Sequence, residues 1–325
     1  LSIASFPAKA VILTGPTASG KTELLDAVFG RGAFSFFASL EVEAGGERGN
    51  PTSAEILSAD SMQAYRGMNI GTAKPSHEIL ARLPHHLIDF KNPDEQYTAG
   101  EFVRLADDIC GTLGSRNILP VISGGTGFYI RNFLCGPSLA PPSDPAMREK
   151  VAGDLAKLGV EALREELSTA DPVSAERICG NDVYRLTRAI EILRTSGQPP
   201  SRFAPSGKKR GAFEFLVIGI EKPRAELKER IGARVDAMFA EGLPDEIASL
   251  VAAGYNETCP GLKAIGYREF FDMAGAPLAS IAEAIKLHTL QYAKRQMTFL
   301  RALPGIVWIA PDPAALASLL ADFLK

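Results

Sequence analysis

The octet Gly15-Pro16-Thr17-Ala18-Ser19-Gly20-Lys21-Thr22 narrows what this chain can fold into more than any other feature. It satisfies G-x-x-x-x-G-K-[ST], and its setting agrees. The apolar, β-branched run Ala10-Val11-Ile12-Leu13 precedes it, and a helical stretch from Lys21 to Phe29 follows. A buried strand, a glycine-rich turn and a helix in that order make a P-loop. At ~7% glycine usage the string alone arises by chance in roughly one percent of chains of this length. Glycines let backbone N–H groups turn inward, and the helix N-terminus adds partial positive charge. Lys21 supplies a point charge for terminal phosphates, and the Thr22 hydroxyl is a candidate Mg²⁺ ligand. The alternative is a glycine-rich turn without a ligand. The motif specifies a polyphosphate, not its hydrolysis. Asn-Lys-x-Asp is absent, and Asp272-x-x-Gly275 lies too far downstream to complete a GTPase set.

The alternation continues. Ala54 to Ala59, ending at Asp60, reads as a second strand and His86-Leu87-Ile88-Asp89 as a third. Leu119 to Ser123, Phe215 to Ile220 and Ile306 to Ile309 read as three more. Thr98 opens a helix through Leu113, with Glu101 completing a capping box. Helical spacing recurs over 224–241, 244–253 and 281–301. The implied class is α/β: a P-loop NTPase-like parallel sheet flanked by helices. Pro137, Pro141, Pro142 and Pro145 interrupt this texture, and 144–196 reads as successive helices with no strand. Asn181 is placed to cap a helix whose apolar face is Val183, Leu186, Ile190 and Leu193. The expected organisation is a core from 1–136 and 206–325, with an all-helical insertion domain at 137–205. Glycine-rich residues 31–53 read as an insertion in the core.

Composition excludes several classes. Of 325 residues, 46% are hydrophobic and 22% charged, which rules out global disorder. A net charge of −3 predicts neither nucleic-acid nor membrane binding from totals, while leaving room for local basic surfaces. Cys110, Cys135, Cys179 and Cys259 form no CxxC, so neither a zinc site nor a disulfide framework is expected, and a reduced cytoplasmic setting fits. No apolar run approaches the roughly 18 residues that span a bilayer, and no signal peptide is apparent.

A second polar cluster follows the second strand. A carboxylate at a strand's C-terminal end faces the phosphate site in an open α/β sheet, so Asp60 is a candidate Mg²⁺ ligand or general base. Ser61 and Gln63 offer donors and acceptors for a base edge. Arg230 and Arg234, four apart on one helix face, are candidate phosphate ligands, with Leu227, Ile231, Val235 and Met238 as the buried stripe.

With these come Gly67-Met68-x-Ile70-Gly71-Thr72-Ala73-Lys74-Pro75, Gly124-Gly125-Thr126-Gly127-x-Tyr129 and Asn181-Asp182-x-x-Arg185-Leu186-x-Arg188-Ala189. Gly266-Tyr267-Arg268 and Lys294-Arg295-Gln296-x-Thr298-x-x-Arg301 complete the set. In this order, and over nearly the whole chain, the segments resemble the tRNA dimethylallyltransferase (tRNA isopentenyltransferase) family in its bacterial form, without a C-terminal zinc finger. The resemblance implies transfer of a dimethylallyl group from dimethylallyl diphosphate to N6 of the adenosine just 3′ of the anticodon, in tRNAs that read codons beginning with U. The P-loop would then hold the donor's diphosphate, with Mg²⁺, through Thr17 to Thr22, Arg230 and Arg234. Asp60 resembles the family's base, Arg234 its diphosphate arginine, and Thr126 a threonine near donor and target.

Four segments resemble tRNA contacts: Asp60, Ser61, Met62 and Gln63; Tyr184, Arg185, Leu186, Thr187 and Arg188; Lys263, Ala264, Ile265, Gly266, Tyr267 and Arg268; and Lys294, Arg295, Gln296, Met297, Thr298, Phe299, Leu300 and Arg301. Thr126 and Arg148 match further contact positions. The expected partners are a tRNA anticodon stem-loop and dimethylallyl diphosphate, with no membrane, and the expected form is a monomer. Competing readings are an adenylate isopentenyltransferase, a P-loop small-molecule kinase with a helical lid, and an RNA-binding regulator without chemistry. Basic groups on both the insertion and the C-terminal helices favour the tRNA enzyme.

Overall fold

A computed structural model describes residues 8–31, 36–37, 51–178, 180–204 and 207–325. Most of the expected insertion at 31–53, and Cys179, lie outside the described residues. The chain divides into two compact units, one of residues 1–134 with 208–325 and one of residues 135–207.

Among the described residues the first unit holds six strands: β1 Ala8–Thr14, β2 Ser53–Ser58, β3 His85–His86, β4 Ile118–Gly124, β5 Phe213–Ile220 and β6 Ile306–Ile309. All pairings are parallel, in the order β3-β2-β4-β1-β5-β6. The short apolar runs follow from this arrangement, because central parallel strands are covered on both faces. Val11 pairs with Val121 on one side and Leu216 on the other, at the centre of the sheet. On one face Val11, Leu13, Val121 and Ile218 meet Leu24, Leu25, Leu316 and Leu320. Strand alternation turns Ile12 and Phe215 to the other face. There Phe133 packs edge-on against Phe215 at 5.8 Å, and Phe102 stacks on Tyr129 at 5.0 Å.

The flanking helices of this unit are α1 Lys21–Leu25, α2 His77–Arg82, α3 Ala99–Ser115 and α4 Gly127–Cys135. The second unit contributes α5 Pro145–Ala170, α6 Pro172–Arg177 and α7 Val183–Ser196. The first unit resumes with α8 Arg224–Ala240, α9 Leu243–Ala252, α10 Arg268–Asp272, α11 Leu278–Leu300 and α12 Pro313–Leu324. Thr98 caps α3 as expected, its side chain accepting from the Glu101 N–H. The second unit closes over its own core, in which Val151, Leu163, Leu167, Leu186 and Ile190 are buried, and α5 breaks at Gly159.

Four local expectations change. The helix after the P-loop is α-helical only to Leu25 and continues as a π-helical turn, Asp26–Arg31. The third strand is two residues long, because Leu87 and Asp89 adopt left-handed φ of 64° and 55° and leave the extended conformation. Asp182, not Asn181, caps α7, accepting from the Arg185 N–H at 3.0 Å. α11 starts at Leu278 rather than 281.

Arg210, from the basic Lys208-Lys209-Arg210 run, turns inward rather than adding surface charge. It forks onto Asp107 at 2.8 and 2.5 Å and lies 4.3 Å from the Phe133 ring centroid. Charge-assisted bonds of this kind are worth ~1.5–3 kcal/mol, and the stem contributes packing. Arg210→Met is therefore expected to lower the unfolding free energy by about 1–3 kcal/mol. Arg210→Lys should fall between, since a point charge cannot fork. Urea denaturation of the three proteins checks the order.

Candidate functional site

Because the strands are parallel, β1, β2 and β4 release the chain at the same edge of the sheet. The connection leaving β1 crosses β4 to reach β2, whereas that leaving β4 crosses β1 to reach β5. Neighbouring connections that diverge open a crevice beyond the strand ends. Gly15 to Gly20, Asp60 to Gln63 and Gly125 to Thr126 emerge there.

A cavity of about 870 Å³ occupies this crevice. Thr17 to Thr22 form one wall and Asp60 to Gln63 another. Arg230 and Arg234 of α8, Lys263 to Gly266 with Arg268, and Tyr292, Arg295 and Gln296 of α11 complete it. Gly20 takes φ 94° as the last residue before α1, a left-handed conformation open to glycine.

Lys21 is folded into the cradle, donating to the Gly15 and Pro16 carbonyls at 2.9 Å each. Burial pushes its ammonium down to about 8, with the Asp60 charge opposing the shift. Arg230 Nε donates to the Ala18 carbonyl at 2.8 Å, and Arg234 Nη1 donates to the Thr17 hydroxyl at 3.2 Å. Burial likewise lowers Arg234, against the attraction of Asp60 and Glu23. Three cations thus converge on one loop, bonding chiefly to its carbonyls and hydroxyl while Arg230 also pairs with Glu23 at 3.4 Å, an arrangement set for an anion.

On the facing side, Asp60 accepts from the Met62 N–H at 3.0 Å, which fixes its turn. Thr126 Oγ1 accepts from the Ser61 N–H at 3.0 Å. The side chain expected near donor and target therefore ties the β4–α4 loop to the Asp60 loop. Gln63 accepts from the Ser58 hydroxyl and donates to the Ala73 carbonyl. Thr22 lines the cavity, as do Met62, Ile265 and Gly266.

Other expected contact residues fall elsewhere. Lys294 and Thr298 are exposed on α11, as is Arg301 at its C-terminal end, where it pairs with Glu221 at 2.7 Å. Phe299 lies against Gly127, and Met297 is half-buried. In the second unit, Tyr184 is 82% exposed. Arg185 is exposed beside Asp182, whereas Arg188 is held by the Pro141 carbonyl and Glu191. Arg148 reaches Ser143, which also bonds Glu191. Burial alone would raise the Glu191 carboxyl, but bonds from Ser143 and Arg188 hold it below its usual range. Leu186, Tyr267 and Leu300 are corrected as contacts: each is buried to 1% or less, in a core.

Sequence reasoning missed two residues. Tyr292, one turn before Gln296, interacts with Thr126 and Gln296, and burial followed by the Asp60 charge pushes its phenol up to about 12. Its four-residue spacing from Gln296 is the signal that would have found it. Glu246 accepts from the N–H groups of Asn69, Ile70 and Gly71 and from the Tyr267 hydroxyl, at 2.6–3.2 Å. This anchors the loop whose Gly71 to Pro75 line the cavity. No local pattern announces that role.

Fold and cavity together define an α/β protein with a P-loop-like cradle set opposite a carboxylate-bearing loop. A family model described as IPP transferase matches residues 63–303. A tRNA dimethylallyltransferase of Geobacter sulfurreducens is 38% identical over 93% of this chain and 91% of its own. Another, from Anaeromyxobacter dehalogenans, is 39% identical over 94% and 97%. The crystal structure of the full-length tRNA isopentenylpyrophosphate transferase of Bacillus halodurans is similar, with a TM-score of 0.66 at 32% identity. That match covers 97% of this chain and 96% of the other. The chain belongs to the IPP transferase family. Among the described residues no helix is long and apolar enough to cross a membrane.

The lowered Lys21 gives a pH dependence. Its charged form is present below about 8 and is lost as the pH rises through that value. Affinity for inorganic diphosphate is therefore expected to fall above about pH 8, and Lys21→Met should weaken binding and flatten the fall. Calorimetric titrations across this range check both.

Proposed function

We propose that the protein transfers a dimethylallyl group from dimethylallyl diphosphate to N6 of the adenosine just 3′ of the anticodon in tRNA. The observation that carries this reading is that Lys21, Arg230 and Arg234 line one cavity with Asp60, Ser61 and Gln63. An anion site and a proton acceptor therefore face the same space. Membership of the IPP transferase family supports it.

In the reaction, the allylic C–O bond breaks and N6 forms the new C–N bond. Negative charge develops on the departing diphosphate oxygens, where the cradle N–H groups, Lys21, Arg230 and Arg234 stabilise it. The adenine amine is a weak nucleophile, so Asp60 takes the N6 proton as the bond forms. A base of this kind is worth ~10²–10⁴ in rate. Thr126 holds the Ser61 N–H and so steadies the loop carrying Asp60. The Thr22 hydroxyl, which lines the cavity beside the cradle, would hold Mg²⁺ together with the substrate phosphates. When bound, the ion would neutralise diphosphate charge.

The target base must leave its stack, at a cost of a few kcal/mol. RNA loops are read on such splayed bases, with phosphates held by Arg and Lys. Exposed Lys294 and Arg295 on α11, Arg301 at its C-terminal end, and Tyr184 and Arg185 on the second unit, are the proposed outer contacts.

Incubation with labelled dimethylallyl diphosphate, Mg²⁺ and unmodified tRNA should label the RNA. Label on adenosine monophosphate instead would make it a nucleotide enzyme, and consumption of ATP with small acceptors would make it a kinase. Asp60→Ala is expected to lower transfer by ~10²–10⁴ with tRNA affinity retained; normal turnover would remove Asp60 as base. Changing both Lys294 and Arg301 to Ala should weaken binding and reduce the salt slope by roughly one unit for each phosphate that is no longer neutralised.

A further inference from the structure

We propose that Gln296 is a positioning residue whose carboxamide sets the distance between the diphosphate cradle and the loop that steadies Asp60. This deepens the transferase reading and rests on it.

Gln296 sits within Lys294 to Arg301, the basic segment whose sequence resembles an RNA contact, but its side chain points inward and is 6% exposed. Its Oε1 accepts from the Thr17 N–H of the cradle at 2.8 Å. Its Nε2 donates to the Gly125 carbonyl, beyond β4, also at 2.8 Å. One planar group thus joins the backbones of two loops that carry opposite halves of the site. A Cβ on Gly125 would stand 2.3 Å from Nε2, so the missing side chain is what admits the amide. Phe299, one turn further on, meets Gly127 in the same way, with a built Cβ 2.5 Å from its ring. The glycines at 125 and 127 therefore dock α11 on this loop.

The bridge extends to both reacting partners. Thr17 receives Arg234 through its hydroxyl at 3.2 Å. Thr126, next to Gly125, holds the Ser61 N–H at 3.0 Å, adjacent to Asp60. Each link is a hydrogen bond of 2.8–3.2 Å to backbone or to the half-buried Thr17 hydroxyl, so displacement at one end passes to the other. Misplacement of reacting groups by about 1 Å can cost ~10²-fold in rate. The amide is also polar in a defined sense: the Thr17 end needs an acceptor and the Gly125 end a donor. Glutamate would set acceptor against carbonyl, and methionine would fill the space and bond neither. The remaining cradle groups still hold diphosphate when Gln296 is changed, and RNA loses no surface, so the deficit belongs to kcat.

The test uses the full chain with Gln296→Met, Gly125→Ala and both together. Steady-state prenylation of unmodified tRNA is measured alongside hydrogen exchange of the Thr17 amide. Each single change is expected to lower kcat by about tenfold or more, with KM for tRNA within about twofold of wild type. The double variant should be within about twofold of the slower single one, because both break one bridge. In Gln296→Met the Thr17 amide should exchange about tenfold faster or more, since its bond to the side chain is gone. Wild-type kcat with unchanged Thr17 exchange overturns the proposal, as does a raised KM for tRNA at unchanged kcat, which would make Gln296 an RNA contact. Should Gln296→Met fail to fold, Gln296→Glu is decisive: lowered kcat with Thr17 still protected supports the bridge, and normal kcat refutes it. If the wild-type protein prenylates no RNA, the transferase reading fails, and Thr17 exchange still decides the bridge.

Discussion

The register of β1 on β4 is the constraint from which the site follows. Thr14 lies beside Gly124, and its hydroxyl donates to the Gly124 carbonyl at 2.9 Å. Both strands therefore end level, and the two loops that leave them start side by side. β2 pairs with β4 through Ser58 and Ser123 and adds the Asp60 loop at the same height. A one-residue slip would turn every core side chain to the opposite face, so burial of Val11, Leu13, Val121 and Ile218 protects this alignment. The chemistry is placed by hydrophobic burial before any polar contact is considered.

The electrostatics of the cradle run against stability. Lys21 and Arg234 are both held below their ordinary pKa values by burial, and the charge of Arg234 adds to the lowering of Lys21 as that of Arg230 adds to the lowering of Arg234. Clustered, dehydrated cations are costly unless compensated. In the free protein that cost is offset by backbone carbonyls at Gly15, Pro16 and Ala18 and by the charge of Asp60. An entering anion relieves the repulsion among these cations, which take it in exchange for carbonyls and a hydroxyl they now hold.

What could be read from the sequence depended on how local each signal was. The strand–turn–helix around Lys21 is encoded within fifteen or so neighbours, as motif recognition requires, and β1 and α1 occur there. The cap at Thr98 is equally local. Third-strand length was not legible, because Leu87 and Asp89 enter left-handed turns that their side chains do not advertise. Nothing in the Lys-Lys-Arg run separates Arg210 from its neighbours, and only the arrival of Asp107 and two phenylalanines turns it inward. Tyr267, Leu300 and Leu186 sit inside basic or polar segments, so segment-level resemblance swept up core residues with surface ones. Glu246 acts on Asn69 to Gly71, far along the chain, and no short window contains both; Tyr292 stands one turn from Gln296, but its partner Thr126 is equally remote.

α11 shows why segments and residues must be separated. Along one face Ala293, Gln296 and Leu300 are buried, at steps of three and four. On the other face Lys294, Thr298 and Arg301 meet solvent. The same short stretch of chain thus serves two environments. A load placed on the exposed cations by a phosphate backbone bears on the helix that carries Gln296, and through its amide on Thr17 and Gly125. The surface that meets RNA in the proposed reaction and the wall that aligns the cradle are two sides of one element, so recognition and alignment need no separate device to be coupled.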